Sequence, residues 1–237
     1  MHIEQLRSQI RHLEANFLNS ENIAVPVGVP ALDNCLSNRG LGLGRVHEVV
    51  GGIYSGVGDV TPSGFVIALL VRIITQTSTN KRILWCSSKK KRLFARLSST
   101  GLHWFGLDPH RIIQVNVISE IDQLWVMEEG LKCPDLMAVV IELGESNSNF
   151  YTRSSVAWRR FQLAAEVGGV TGFVLRSNIR NPGALDSLPE SRWRVTALPS
   201  NSWYPKWKLE LLRSRNGKKS SSIVIWDPTI RSFKCDS

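Results

Sequence analysis

The segment from Gly51 to Val66 is the part of this sequence that comes closest to a chemical site. A strand-like apolar stretch ends at Gly51-Gly52, a loop of small residues follows, and a strongly apolar helix is predicted after Ser63-Gly64. A strand, a glycine-rich loop and a helix in this order form the usual setting of a phosphate-binding loop, in which backbone N–H groups and a helix N-terminus face the phosphates. The segment is therefore the first place to look for nucleotide binding.

The side chains that such a loop needs are missing. A phosphate-binding loop carries Lys followed by Ser or Thr, because the ammonium group reaches the β- and γ-phosphates and the hydroxyl holds magnesium. Phe65 and Val66 stand at these two positions, and no register of residues 51–64 contains the full motif. We therefore expect no nucleotide hydrolysis and no cofactor, although weak binding through backbone amides stays open. The degenerate phosphate-loop position comprises Gly51, Gly52, Ser63 and Gly64.

Other side chains do not combine into a catalytic or metal site. The five histidines show no metal-ligand spacing, and residues 144–148 fail the nucleophile-elbow pattern at their last position. Glu142 ends an apolar strand, where α/β proteins often hold a metal or water ligand, but without a phosphate-binding lysine we expect it to satisfy backbone or arginine partners. The sequence thus predicts no catalytic residue, no metal site and no enzymatic activity.

The positive charge of the chain is concentrated near its C-terminus. Lys and Arg number 29 against 20 Asp and Glu, and residues 192–234 contain ten basic but only two acidic residues. A basic region of this kind favours a polyanion or an acidic protein as partner. The candidate DNA- or partner-binding residues are Arg213, Arg215, Lys218, Lys219, Lys206 and Lys208.

Two tryptophans lie among these basic residues. Trp203 and Trp207, beside Lys206 and Lys208, could stack on exposed bases. Trp207 opens an alternating strand, which favours packing in the core, whereas both interpretations of Trp203 stay open.

Apolar strands and amphipathic helices alternate through the middle of the chain, which predicts an α/β fold with a mainly parallel sheet flanked by helices. We predict strands at 45–50, 82–86, 111–117, 136–143 and 172–176. Helices are predicted at 65–75, 120–131 and 158–167, with another that contains the basic run 89–92 and reaches about residue 100. After Pro189, alternating segments at 192–198, 207–214 and 222–226 predict antiparallel strands at the C-terminal edge, with a hairpin at Asn216-Gly217.

The first twenty residues predict one amphipathic helix. Its apolar positions recur at spacings of three and four over two heptads, at Ile3, Leu6, Ile10, Leu13 and Phe17. Two heptads are too short for a stable isolated helix, so it must dock either on its own domain or on a neighbouring subunit or partner. We predict a role in self-association or docking, and we divide the chain into a helix with linker at 1–25 and a domain at 26–237.

The cysteines and the hydropathy of the sequence indicate the cellular compartment of the protein. Cys35, Cys86, Cys133 and Cys235 lie far apart and form no C-x-x-C pair, which indicates free thiols in a reducing cytoplasm. The longest apolar run, residues 65–71, is far short of the roughly 20 residues that a membrane-spanning helix needs. No secretory signal is visible, so we expect a cytoplasmic protein without a membrane partner.

Several short segments, taken in their order, resemble one protein family. They are GVPALD at 28–33, GLGLGRVHE at 40–48, LWC at 84–86, GLDP at 106–109 with RII at 111–113, LWVMEE at 124–129, RRFQLAAE at 159–166, GVTG at 169–172, RWRV at 192–195 and WKLELLR at 207–213. The first two resemble the entry to the RecA recombinase core. Together, over about residues 28–228, they resemble the ImuA family of RecA-related accessory proteins of bacterial SOS mutagenesis.

The resemblance implies a RecA-like core that serves as a scaffold. Its expected partners are an ImuB-like Y-family polymerase adaptor and an error-prone DNA polymerase, with RecA, DNA and a second copy of the chain as further candidates. Phe65 and Val66 replace the loop Lys and Thr of the recombinase, and Ser87-Ser88-Lys89 stands where the recombinase carries its catalytic glutamate. Two alternatives stay open: an active RecA-like DNA-dependent ATPase or recombinase, and a cell-division inhibitor of the SulA type.

Overall fold

A computed structural model describes residues 23–53, 62–88, 97–143, 155–177, 188–215 and 217–236. The predicted N-terminal helix, the basic run 89–92, residues 144–148 and Asn216 lie outside these ranges. The strands are β1 Ala24–Val25, β2 Leu41–Gly42, β3 Val46–Gly51, β4 Arg82–Ser88, β5 Ile112–Val117, β6 Leu136–Leu143, β7 Thr171–Arg176, β8 Ser191–Leu198, β9 Lys206–Ser214, β10 Ser220–Asp227 and β11 Ser232–Cys235. The α-helices are α1 Pro30–Asp33, α2 Ser63–Thr77, α3 Ser99–Phe105, α4 Glu120–Leu131 and α5 Ser155–Gly168.

Nine strands form one sheet in the order β11-β10-β9-β8-β3-β7-β6-β4-β5. All neighbouring pairs from β8 to β5 are parallel, and the pairs from β8 to β11 are antiparallel. β1 and β2 form a separate antiparallel ribbon. The protein is therefore an α/β protein with a mainly parallel sheet and an antiparallel C-terminal edge, as the sequence predicted.

Helices cover both faces of the parallel strands. One face packs against α2, whose Phe65 and Leu69 join Trp193 and Leu175 in the larger apolar cluster. The opposite face packs against α4 and α5, whose Met127 and Phe161 belong to a second cluster. β3, β6 and β7 are buried along their whole length, and most of their residues are apolar. The buried polar exceptions are His47, Glu48, Glu142, Thr171 and Arg176.

The sequence-based predictions of most elements are confirmed, with three corrections. The predicted helix reaching residue 100 is wrong at its end, because a helix begins at Ser99, where the Ser98 hydroxyl accepts the N–H of Gly101. β8 was predicted as antiparallel only, but it also pairs in parallel with β3. The C-terminal strand β11 was not predicted. The hairpin between β9 and β10 is confirmed, and Gly217 adopts a φ of 76° in its turn.

Candidate functional site

The degenerate phosphate-loop position lies at the carboxyl edge of the parallel strands, where β3 ends and α2 begins. Gly51 is level with Val195 of β8, and the N–H of Gly52 donates to the Val195 carbonyl at 2.8 Å. A Cβ atom at Gly52 would overlap the hydroxyl oxygen of Thr196. The Gly52 amide is thus committed to β8 and does not point into the loop, where a phosphate would need it.

Phe65 and Val66 are both fully buried. The ring of Phe65 lies 5.8 Å from that of Trp193, 5.8 Å from that of Phe233 and 6.3 Å from that of Trp207, measured between centroids. The side chain at the position of a phosphate-binding lysine therefore points into an aromatic core that ties α2 to the C-terminal strands. Gly64 lies against the same core, since a Cβ atom there would be 3.2 Å from Trp207 Cζ2.

Glu142 lies beside this position at the end of β6, and its carboxylate oxygens accept hydrogen bonds from neutral side chains. Trp85 Nε1 donates to Oε1 at 2.9 Å, Ser87 Oγ donates to Oε2 at 2.8 Å, and the Ser63 hydroxyl also bonds the carboxylate. Burial raises the pKa of Glu142, and the hydrogen bonds from Ser87, Trp85 and Ser63 oppose that rise. The expected backbone or arginine partners were wrong: the described donors to the carboxylate are indole and hydroxyl groups.

These contacts also place two residues that the sequence had singled out. Ser63, the first residue of α2, directs its hydroxyl to Glu142. Ser87, at the position assigned by resemblance to a catalytic glutamate, donates to the same carboxylate. Gln123 of α4 bonds the backbone of the same residue, since its Nε2 donates to the Glu142 carbonyl of β6 at 2.7 Å.

A buried ionic cluster crosses β3, β7 and β8, and sequence reasoning missed it. Glu48 is fully buried, and its two carboxylate oxygens accept from Arg176 Nε at 2.7 Å and from Arg192 Nε at 2.6 Å. Both arginines are also buried. A lone acid inside the apolar strand 46–51 was the available signal, because an ionised carboxylate is buried only with a partner.

His47, next to Glu48, faces the opposite side of the sheet. Its Nδ1 lies 2.7 Å from the Ser191 hydroxyl and its Nε2 lies 2.8 Å from the Gly42 carbonyl. A carbonyl oxygen only accepts, so Nε2 carries the proton and Nδ1 accepts from Ser191. Burial lowers the pKa of His47 to about 4, which keeps the ring neutral.

The six candidate basic residues fall into two groups. Arg213, Arg215, Lys218 and Lys219 are all exposed and lie at the turn between β9 and β10, at the amino edge of the parallel strands. We call these four the turn group. Lys206 and Lys208 begin β9, where Lys206 is level with Leu198 at the carboxyl edge. Arg213 lies seven residues after Lys206 along the strand, which is about 23 Å at roughly 3.3 Å per residue.

Several basic residues of the C-terminal region have acidic partners. Lys206 forms an ion pair with Asp236. Lys208 Nζ lies 3.6 Å from Glu210 Oε1, and Arg215 Nη1 lies 3.7 Å from Glu190 Oε2. In each pair at least one side chain is only partly exposed, but Lys208 and Arg215 themselves are exposed. Pairs that reach solvent are weak, so those of Lys208 and Arg215 reduce the local charge without preventing a contact with an anion.

The two tryptophans near β9 have different environments. Trp207 is buried in the aromatic core, which confirms the prediction for it. Trp203 is 94% exposed in the segment between β8 and β9. It stands at the carboxyl edge with Lys206, away from the turn group.

Comparison with known proteins places the chain in a family. No family model matches it. Its relatives include proteins named Protein ImuA from two strains of Caulobacter vibrioides, NA1000 / CB15N and ATCC 19089 / CB 15. Each is 30% identical over 214 residues, which cover 83% of this chain and 81% of the relative. The chain belongs to the ImuA family. The resemblance found in its sequence segments is thereby confirmed.

The cysteines of this ImuA-family chain are all described and are free thiols. Cys86 is buried, and burial raises the pKa of its thiol to about 12, with the charges of Glu142 and Asp122 adding to the effect. Cys235 is exposed. Within the described ranges, no helix has both the length and the apolar character that crossing a membrane requires.

Proposed function

We propose that this chain is a non-catalytic, RecA-like accessory factor in SOS-induced, error-prone translesion DNA synthesis. In this proposal it assembles with an ImuB-like polymerase adaptor and an error-prone DNA polymerase on damaged DNA, and RecA is a further candidate partner. Membership of the ImuA family supports a role in damage-induced mutagenesis at the level of the family.

The burial of Phe65 is the observation that carries the non-catalytic part of the proposal. Catalysis of phosphoryl transfer depends on positioned cations around the phosphates, and the loop lysine is one of them. At its position an aromatic ring is buried against three other aromatic rings. A lysine in this environment would need either to bury its charge or to displace the core.

Two further contacts support the same proposal. The Gly52 amide donates to β8, and the Ser63 hydroxyl donates to Glu142, so two groups of the degenerate phosphate-loop position are already used within the protein. Glu142 in turn accepts from Trp85 and Ser87, so both of its carboxylate oxygens have donors within the protein, which supports a structural role for this acid.

For the binding surface we propose the turn group. Its four cations lie within one short turn, and four neutralised phosphates would give duplex DNA binding a log–log salt slope of about −3.6. The same surface would also attract an acidic protein. If that is its partner, we do not expect the chain to bind DNA with this salt slope.

The decisive experiment combines a cellular and a biochemical measurement. Damage-induced mutagenesis is measured in a deletion strain that carries the wild-type chain, a variant with all four turn-group residues changed to Ala, or a matched Lys206→Ala/Lys208→Ala variant. We expect loss of mutagenesis for the deletion, a strong defect for the turn-group variant and a smaller one for the matched variant. Undiminished mutagenesis after deletion would contradict the proposal.

The biochemical arm separates the assembly role from an ATPase. ATP turnover is measured with and without single-stranded DNA, and co-purification with an ImuB-like polymerase is measured for the same variants. We expect no ATP turnover in the wild type or in any variant, and we expect the turn-group variant to lose co-purification with the polymerase. Turnover that disappears when residues within 51–66 are changed would establish the ATPase instead.

A further inference from the structure

The outer face of α5 carries an apolar stripe that points away from the sheet. Val156 is 66% exposed, Leu163 is 47% exposed and Val167 is 73% exposed. These residues stand at positions i, i+7 and i+11, which places them within about 40° of one another around the helix. Arg160, at i+4 on the same side, lies between Val156 and Leu163 and pairs with Glu128 of α4. The buried face of α5, with Phe161 and Ala165, lies on the opposite side. A stripe of this kind on an amphipathic helix is typical of a surface that packs against another helix.

We propose that the N-terminal segment of the same chain covers this stripe, in cis. The sequence predicts a helix there, and Leu6, Leu13 and Phe17 of its apolar face also stand at i, i+7 and i+11. With both helices running in the same direction, these three residues lie level with Val156, Leu163 and Val167. Each stripe is about 17 Å long at about 1.5 Å per residue, so the two match along their whole length.

The position at which the described chain begins fits this arrangement. The Ile23 carbonyl accepts the N–H of Leu43 at 2.8 Å, which fixes the start of the described residues beside the segment before β3. Gly44, the next residue, lies against the end of α5, since a Cβ atom there would be 3.5 Å from Gly169 Cα. Ile23 is therefore next to the end of α5 that carries Val167.

The connecting segment is long enough for this docking. Residues 18–22 join Phe17 to Ile23, and six Cα-to-Cα steps span at most about 20 Å. Packed helices lie about 8–10 Å apart, so a helix that runs parallel to α5 and ends near Val167 can reach Ile23 without crossing the molecule. The opposite direction would leave Phe17 at the far end of α5, about 17 Å further away.

Amide hydrogen exchange of the full-length chain tests the proposal. We compare residues 1–17 in the wild type, in Leu163→Asp and in a matched control, Trp125→Asp, which alters an apolar residue of α4 that is 65% exposed. We expect slow exchange in the wild type, at least tenfold faster exchange in Leu163→Asp and no change in the control. Val167→Asp should reproduce the effect of Leu163→Asp, and exchange in β7 reports whether either variant remains folded.

Three results would overturn the proposal. One is fast exchange of residues 1–17 in the wild type, and another is exchange that the two stripe variants leave unchanged. The third has two parts: the protection of residues 1–17 from exchange falls when the protein is diluted tenfold, and light scattering gives the mass of a dimer. That result would assign the stripe to a second copy of the chain. Protection that is independent of concentration, with a monomer mass, supports docking in cis.

Discussion

Replacing Phe65 by lysine restores the residue that a phosphate-binding loop requires, and we expect it to damage the protein without restoring nucleotide binding. The ring is fully buried and contacts three aromatic neighbours. Truncating a buried Phe to Ala costs about 3–5 kcal/mol. Phe65→Lys loses the same packing and adds the penalty of burying an ammonium group, so its loss of unfolding free energy should be at least about 4 kcal/mol.

Urea denaturation measures this loss directly. With a slope of about 2 kcal/mol per molar urea, a 4 kcal/mol loss lowers the midpoint by about 2 M. The matched control is Gln76→Lys, which adds a lysine at an exposed position of the same helix and should leave the midpoint within about 0.3 M.

Adding ATP and magnesium to the same titration tests the functional part. A ligand at 100 times its Kd would stabilise the folded state by about 2.7 kcal/mol. We expect no such recovery for Phe65→Lys. A variant that keeps the wild-type midpoint, and gains stability with ATP and magnesium, would refute the argument that this position belongs to the core.

Three further predictions concern His47, Glu48 and the cysteines. Because the pKa of His47 is lowered from 6.5 to about 4 in the folded state, its contribution to stability is fully present above pH 6.5. As the pH falls from 6.5 to 4, the free energy of unfolding should decrease by roughly 3 kcal/mol. Urea midpoints measured at several pH values should show a weaker pH dependence in His47→Gln. Glu48→Gln should lower the unfolding free energy by about 3–5 kcal/mol, because it removes the negative charge between two buried arginines; a loss under 1 kcal/mol would argue against an ionised cluster. Finally, Cys235 should react with a thiol reagent in the native protein while Cys86 reacts only on unfolding, which mass spectrometry of the modified protein can follow.

The local pattern of the sequence determined most of the fold. Strands such as 136–143 are continuous apolar runs, and helices such as 120–131 show the helical period, so their bounds could be predicted closely. The parallel pairing of β8 with β3 could not be predicted in this way, because it joins segments about 140 residues apart in the chain. β11 is only four residues long and has no distinctive pattern.

The candidate site was harder to predict than the fold. The absence of a loop lysine was visible in the sequence, but the inward direction of Phe65 was not, since it depends on Trp193, Trp207 and Phe233 meeting in three dimensions. The separation of Lys206 from the turn group follows from the length of β9 and could have been predicted once that strand was assigned. The partners of Glu48 are 128 and 144 residues away, beyond any local pattern.

The aromatic core around Phe65 also bears on regulation. In a nucleotide-driven machine, the helix after the loop shifts its contacts when the γ-phosphate arrives or leaves, and that movement reaches distant surfaces. Here the same helix is fastened to β9 through Trp207, and β9 leads directly into the turn group. If the proposed non-catalytic function is right, we therefore expect the turn group to be presented in the same way with and without ATP.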